Sequence, residues 1–316
     1  AAAAPEAAAE AAGPGVAEAA AAMAATHHKE VAGRPWWRRR AERTFLPNPG
    51  SYENINDEAF FILRPMLFDG VQFNLTLPAS PVFTVGHSLE MGSQSKPPMY
   101  AFSANYISNA LVMISRLDLT GRVNGRIFLN HGPTLTSKVV AEAGPEPHSS
   151  KFQYDLDHRG ADACSQLKVG SGGIVALSYL QSVTPSIAMG GEVFYQGKSR
   201  FSALTAAIKY SSAEDIATLT LASFGPLILS YVRKVNPRVS LATELFWDSR
   251  SRETLVTAGY RFDLRAASIV GQIDSGGRVA ATLEEKINPG LSFLLSGEID
   301  HAKQRYSFGY GLNIGQ

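Results

Sequence analysis

From Gly70 to the C-terminus the chain alternates apolar and polar residues in segments of about ten, cut by short polar turns. VQFNLTL sets Val71, Phe73, Leu75 and Leu77 on one face and Gln72, Asn74 and Thr76 on the other, and YSFGYGLNI near the end repeats the pattern. The turns between are marked by LTGR, NHGP, HRG, GSGG, VTP, QGKSR, VNP, DSRSR and DSGG. This periodicity of two leaves no room for a helical fold. About 19 such segments fit, at roughly 13 residues per strand and turn. Pro81, Pro133, Pro185, Pro237 and Pro289 recur every 52 residues. Four units of roughly 13 residues make that interval, so each proline is expected to open every fourth strand, where its missing N–H removes no interior ladder bond. A duplicated four-strand unit is the corresponding hypothesis.

A closed barrel of that many strands cannot fill its interior with side chains. The economical arrangement puts the apolar face toward lipid and the polar face toward a wet lumen. The expected fold is therefore all-β, a transmembrane β-barrel of about 19 strands. A soluble β-rich binding protein is the alternative, and the need for detergent separates the two. Charged residues are only 18% of the chain, below the usual quarter of a soluble protein. No run approaches the ~18 apolar residues of a spanning helix. Tyr100, Tyr106, Tyr195, Trp247, Tyr260, Tyr306 and Tyr310 suit interfacial girdles. The net charge of +1 gives no field that argues for nucleic acid.

Three regions are expected. Residues 1–33 read as an alanine-rich disordered or weakly helical tail, without the basic start and apolar core of a secretory signal. Residues 34–69 form an N-terminal helical segment, and residues 70–316 the barrel. WWRRR at 36–40 suits either headgroups or a partner, or an aromatic pair packed on the rim. After the PNPG breaker, SYENINDEAFFILRP predicts a short amphipathic helix over 51–64. Ile55, Ala59, Ile62 and Leu63 share its apolar face, and Ser51 or Asn54 is its cap.

An odd strand count behind a leading helix resembles the mitochondrial porin superfamily, since single-chain bacterial barrels use even counts. Several stretches, in order, resemble the family of central channel subunits of the translocase of the outer mitochondrial membrane (TOM). They are PGSYENINDEAF, FDGVQFNLT, VFTVGHSLEMG, LTGRVNGRIFLNHGPTLTSK, GSGGIVALSYLQSVTPSIAMGGE and GQIDSGGRVAATLEEK. The likeness covers about residues 47–315. Ser307, Gly309, Leu312 and Ile314 fit the C-terminal sorting signal of mitochondrial barrels.

The resemblance implies a channel that passes precursor proteins with cationic amphipathic presequences across the outer mitochondrial membrane. The helix would lie inside the lumen and both termini would face the intermembrane space, which puts the proline turns on that side. It also implies small single-span helical subunits, a central receptor, lipid contact and a homodimer of barrels as partners. A metabolite or ion pore of the same superfamily is the second expectation.

Each proline-led strand reaches a glutamate: Glu90, Glu142, Glu192, Glu244 and Glu298, at offsets of 9, 9, 7, 7 and 9 residues. All the offsets are odd, so all five side chains share one face. That face also carries Ser88, Lys138, Gly190, Ala242 and Ser296, the expected lumen side. Asp155, Asp157 and Asp162 extend an acidic sector, and Asp118, Asp248 and Asp300 are further lumen acids. Arg116, Arg122, Arg126, Lys138, Lys168 and Arg261 are lumen bases. Weak, spaced carboxylates would guide a cationic segment without trapping it. In the plain alternative they pair with lumen bases and keep the wall wet.

No enzyme pattern emerges. GEVFYQGKS at 191–199 has five residues between its glycines where a phosphate loop needs four. The histidines lack metal-ligand spacing, and Cys164 is the only cysteine. No catalytic residue, metal or cofactor is expected.

Overall fold

The computed structural model describes residues 46–92, 97–146 and 150–315. The alanine tail and WWRRR lie outside the described residues. Pro47–Gln316 form one compact unit. Among the described residues, one helix, α1 (Asp57–Leu63), precedes β1 (Gly70–Ser80), β2 (Phe83–Met91), β3 (Met99–Ile107), β4 (Leu111–Asp118), β5 (Val123–Asn130) and β6 (Leu135–Ala143). Then come β7 (Lys151–Arg159), β8 (Ala163–Gly170), β9 (Ile174–Ser182), β10 (Ile187–Gln196), β11 (Phe201–Ser211), β12 (Asp215–Ala222) and β13 (Pro226–Asn236). β14 (Val239–Asp248), β15 (Thr254–Asp263), β16 (Ala267–Asp274), β17 (Arg278–Asn288), β18 (Leu291–Asp300) and β19 (Arg305–Ile314) complete the wall.

Each strand pairs antiparallel with the next, and β1 pairs β19 in parallel, closing a 19-stranded barrel. An up-and-down meander with an odd count must end pointing the way it began, so one parallel seam is unavoidable. Closure removes every free sheet edge.

The 52-residue spacing carries through to the backbone. Pro81, Pro133, Pro185, Pro237 and Pro289 lie two residues before β2, β6, β10, β14 and β18, in the turns rather than as first strand residues. A proline there fixes φ in the turn and takes no ladder position. On the opposite rim, Gly121, Gly173, Gly225 and Gly277 hold positive φ, again 52 residues apart. Arg200, Arg252 and Gln304 hold positive φ at the same interval. Register shifts fall between Pro78 and Ser80, Lys234 and Asn236, and Lys286 and Asn288, each just ahead of a proline turn. The four-strand unit is thus a repeat of turn geometry as well as of composition.

Cross-strand register fixes the two faces. Val71, Leu89, Leu117, Leu177, Val193, Leu204, Leu229, Leu241 and Ile273 all fall on one parity and are exposed, an apolar outer band that suits lipid. The girdle aromatics share that outward parity. Tyr260 and Tyr310 stand mid-strand rather than near an end. Tyr260 folds over Gly271, where an added Cβ would lie 2.6 Å from its ring.

α1 packs on the inward parity. Ala59, Ile62 and Leu63 form a buried cluster with Ile216, Val232 and Ala242 of β12, β13 and β14. Ile55 joins Leu180, Ala188 and Ala207 of β9, β10 and β11. Gly259 clears space for the helix, since a Cβ there would lie 3.0 Å from Leu63 Cδ2 and 3.2 Å from the Ile62 carbonyl. All four expected apolar-face residues are buried. The helix itself is shorter than expected, beginning at Asp57 with Asn56 as its cap and no side-chain cap bond. The preceding residues form turns, because Tyr52, Glu53 and Asn56 are drawn to separate strands of the wall.

Candidate functional site

The lumen surface is built from two pieces, the inward residues of the wall and the segment 47–69 laid across them. Asn48 Nδ2 donates to the Gly160 carbonyl at 2.7 Å, and Ser182 Oγ donates to the Pro47 carbonyl at 2.6 Å. Glu53 then reaches between two lysines: its oxygens lie 3.5 Å from Lys138 Nζ and 3.5 Å from Lys168 Nζ. Gln166 Nε2 donates to the same carboxylate at 3.2 Å. Burial alone would raise the Glu53 pKa, but Lys168, Gln166 and Lys138 together outweigh it and hold the carboxyl below its usual range. Beside it, burial and the Glu192 charge push the Tyr52 phenol up to about 12, so it stays neutral. Thr218 Oγ1 bridges Asn56 and Ser230, and Lys234 Nζ meets Glu58 at 2.9 Å.

Of the eight acids expected along the presequence path, all but Asp162 stand on the inward parity, and Asp118 shares it. Asp155 is fully buried, 3.8 Å from Lys138 Nζ and accepting from Gln153 at 2.8 Å. Asp157, two residues on, keeps a buried Oδ1 without a hydrogen-bond partner. With Glu53 and Glu192 they form one group around Lys138 and Lys168 on β6 to β10. A second group lies on β14 to β18. Glu244 and Asp274 line a cavity of about 400 Å³ with Leu63, Arg64, Leu255 and Arg278. Arg278 Nε meets Glu298 at 2.6 Å. Glu142 stands apart, opposite Asn124 and Lys151, and Glu90 stands opposite Gln72 near the seam. The five glutamates fall six to eight residues into their strands, in the half away from the proline turns. Asp162 differs: it lies in the turn between β7 and β8, 3.5 Å from Gln181 Nε2. Asp248 and Asp300 are turn acceptors, taking the Arg250 N–H at 3.0 Å and the Lys303 N–H at 2.9 Å.

A family model described as eukaryotic porin matches residues 48–309. The chain belongs to the eukaryotic porin family. Among its relatives, a probable mitochondrial import receptor subunit TOM40-2 of Arabidopsis thaliana is 34% identical over 85% of this chain and 91% of its own length. A mitochondrial import receptor subunit TOM40 homolog of Xenopus laevis is 30% identical over 85% of each chain. The Homo sapiens homolog is 29% identical over 85% of this chain and 79% of its own.

In this eukaryotic porin the matched region takes in the barrel up to Gly309 and the lumen segment together. Sequence reasoning missed Glu53 as a lumen carboxylate, because acids in 53–58 read as favourable first-turn residues of a longer helix. The signal available was the shared inward parity of Lys138 and Lys168, two cations in need of an acid. Arg261 likewise meets Asp263 at 3.0 Å, and Arg116 meets Asp118 at 3.2 Å. Among the described residues, Arg122 and Arg126 carry no ion pair, and neither do Glu142 and Glu244.

Proposed function

We propose that this chain is the protein-conducting channel of a TOM import complex in the outer mitochondrial membrane, passing precursors with cationic amphipathic presequences. The observation that carries this reading is a closed 19-stranded barrel whose inward carboxylates stand on strands spread around the wall, in a chain whose relatives are named import receptor subunits. Glu90, Glu142, Asp155, Asp157, Glu192, Glu244 and Glu298, with Asp162 at the rim, make up the presequence path. Glu142 and Glu244 are the readiest contacts for an arginine or lysine in transit, whereas Asp155 and Glu298 already hold a base. Exposed pairs contribute only ~0.2–1 kcal/mol each, so a cation can exchange from one site to the next. Ser307, Gly309, Leu312 and Ile314 act as the sorting signal. Small single-span helices, a central receptor, lipid and a second barrel are its partners on the outer surface. No cofactor or metal takes part.

Planar-bilayer recording of the refolded chain, with and without a cationic amphipathic peptide, tests this. Cation-preferring conductance with voltage-dependent block by the peptide, and none by a neutral scramble, supports import. Conductance that the peptide never blocks moves the assignment to a metabolite pore.

A further inference from the structure

Segment 47–69 touches the wall at Phe68, two residues ahead of β1. The Phe68 N–H donates to Ser296 Oγ at 3.1 Å, and the same hydroxyl donates to the Phe68 carbonyl at 2.7 Å. Ser296 is an inward residue of β18, 6% exposed. On β19 the Phe68 ring covers two glycines. A Cβ on Gly309 would press on the Phe68 carbonyl and lie 2.5 Å from its ring; one on Gly311 would lie 3.1 Å from it. The seam then starts at once, Gly70 pairing with the same Gly309.

That seam has the fewest paired residues of any join in the wall. It is the parallel one, and parallel pairing is slightly less stable per residue. Its register runs through six residue pairs, Gly70–Leu75 against Gly309–Ile314, where β1 and β2 share nine. Inside the lumen it is braced by Asn74 Nδ2 donating to Asn313 Oδ1 at 2.8 Å, with Ser88 Oγ donating back to Asn74 at 2.7 Å.

We propose that Phe68 is the latch of the barrel: seated on Ser296 and Gly309, it sets the register of β1 on β19 and holds the seam shut. A slip of two residues that brought Ser307 under Phe68 would put a side chain where the ring now lies. Gly309 is also the glycine of the sorting pattern. The latch gives that position a task in the finished barrel whether or not it serves in sorting, because it rests on the contacts alone.

Hydrogen–deuterium exchange on the full reconstituted chain tests it. Peptides covering Gly70–Leu75 and Gly309–Ile314 report the seam, and peptides from β9 and β10 serve as the reference. Ser296→Ala and Phe68→Ala should each speed seam exchange roughly tenfold, on the scale of one or two lost contacts, with β9 and β10 unchanged. Gly309→Ala should do more. Gly297→Ala, on the outward face with only a 3.7 Å contact to Phe308, should do nothing. If Phe68→Ala leaves the seam at the wild-type rate, or loosens β9 and β10 equally, the latch is overturned.

Discussion

The Glu53 carboxylate lies 3.5 Å from Lys168 Nζ, tying the segment ahead of the barrel to β8. Lys138 meets its other oxygen, so one acid serves two wall cations. Glu53→Gln should therefore loosen residues 51–56 without opening the wall. The side chain is 41% exposed, and solvent screening limits the loss to about 0.5–1 kcal/mol. Exchange of the 51–56 amides, compared with β9, measures it.

The same tie should respond to acid. The Glu53 pKa in the folded chain is depressed from 4.5. Its contribution is complete above 4.5 and is lost as pH falls through the lowered folded value, because the unfolded state takes up the proton first. Attachment of the segment should be flat from pH 7 to 5 and weaken below that range. A Glu53→Gln chain should lack this acid limb in the same exchange assay.

Replacing Glu90, Glu142, Glu192, Glu244 and Glu298 together by Gln should weaken cationic-peptide block at least roughly tenfold, taking each exposed site at a few tenths of a kcal/mol. It should also shift the reversal potential toward anions, since Arg278 is then unpaired. Block as strong as in the unaltered chain would show that the glutamates only pair with wall bases.

Gly259→Val should lift α1 from the wall. The added atoms would fall within 3.0–3.2 Å of Leu63 and the Ile62 carbonyl. Overpacking of this kind costs ~1–3 kcal/mol. The added Cβ would also lie 2.9 Å from the Gly271 carbonyl of β16, so faster exchange of residues 57–63 with local loosening of β15 against β16, and β9 and β10 still protected, is the expected outcome.

The positive-φ turns test backbone strain by itself. Gly277 has φ of 82°, and an added Cβ would meet only His301 Cβ at an ordinary 3.7 Å, so Gly277→Ala should cost ~1 kcal/mol, chiefly through backbone strain. Arg252 holds φ of 57° without being glycine, so Arg252→Gly should be neutral or slightly stabilising. Thermal unfolding in detergent distinguishes the pair; equal effects would rule out local strain as the cause.

Much of the wall was legible because a strand announces itself locally. Val71, Phe73 and Leu75 against Gln72 and Asn74 record the two faces in adjacent letters, and the prolines at intervals of 52 record the strand count. The lumen face of the five glutamates followed from parity alone. The start of α1 was not legible, since SYENIND satisfies every local rule for a helix N-terminus and yields to wall contacts at Tyr52, Glu53 and Asn56. Asp248 and Asp300 fit the inward parity yet serve the turns, because a strand's last carboxylate can reach its own turn amides.

Sequence by itself determined the strand period, the two faces, the repeat of turns and the family. Those are properties of neighbouring residues, fixed by backbone sterics and by the apolar demand of the outer surface. Tertiary structure alone decided which acids are held and which are open. It also decided that Glu53 lies between Lys138 and Lys168, and that Phe68 covers Gly309. Such pairings depend on closing the sheet and bringing residues far apart in the chain within 4 Å, and a period of two says nothing about which strand lies across the lumen.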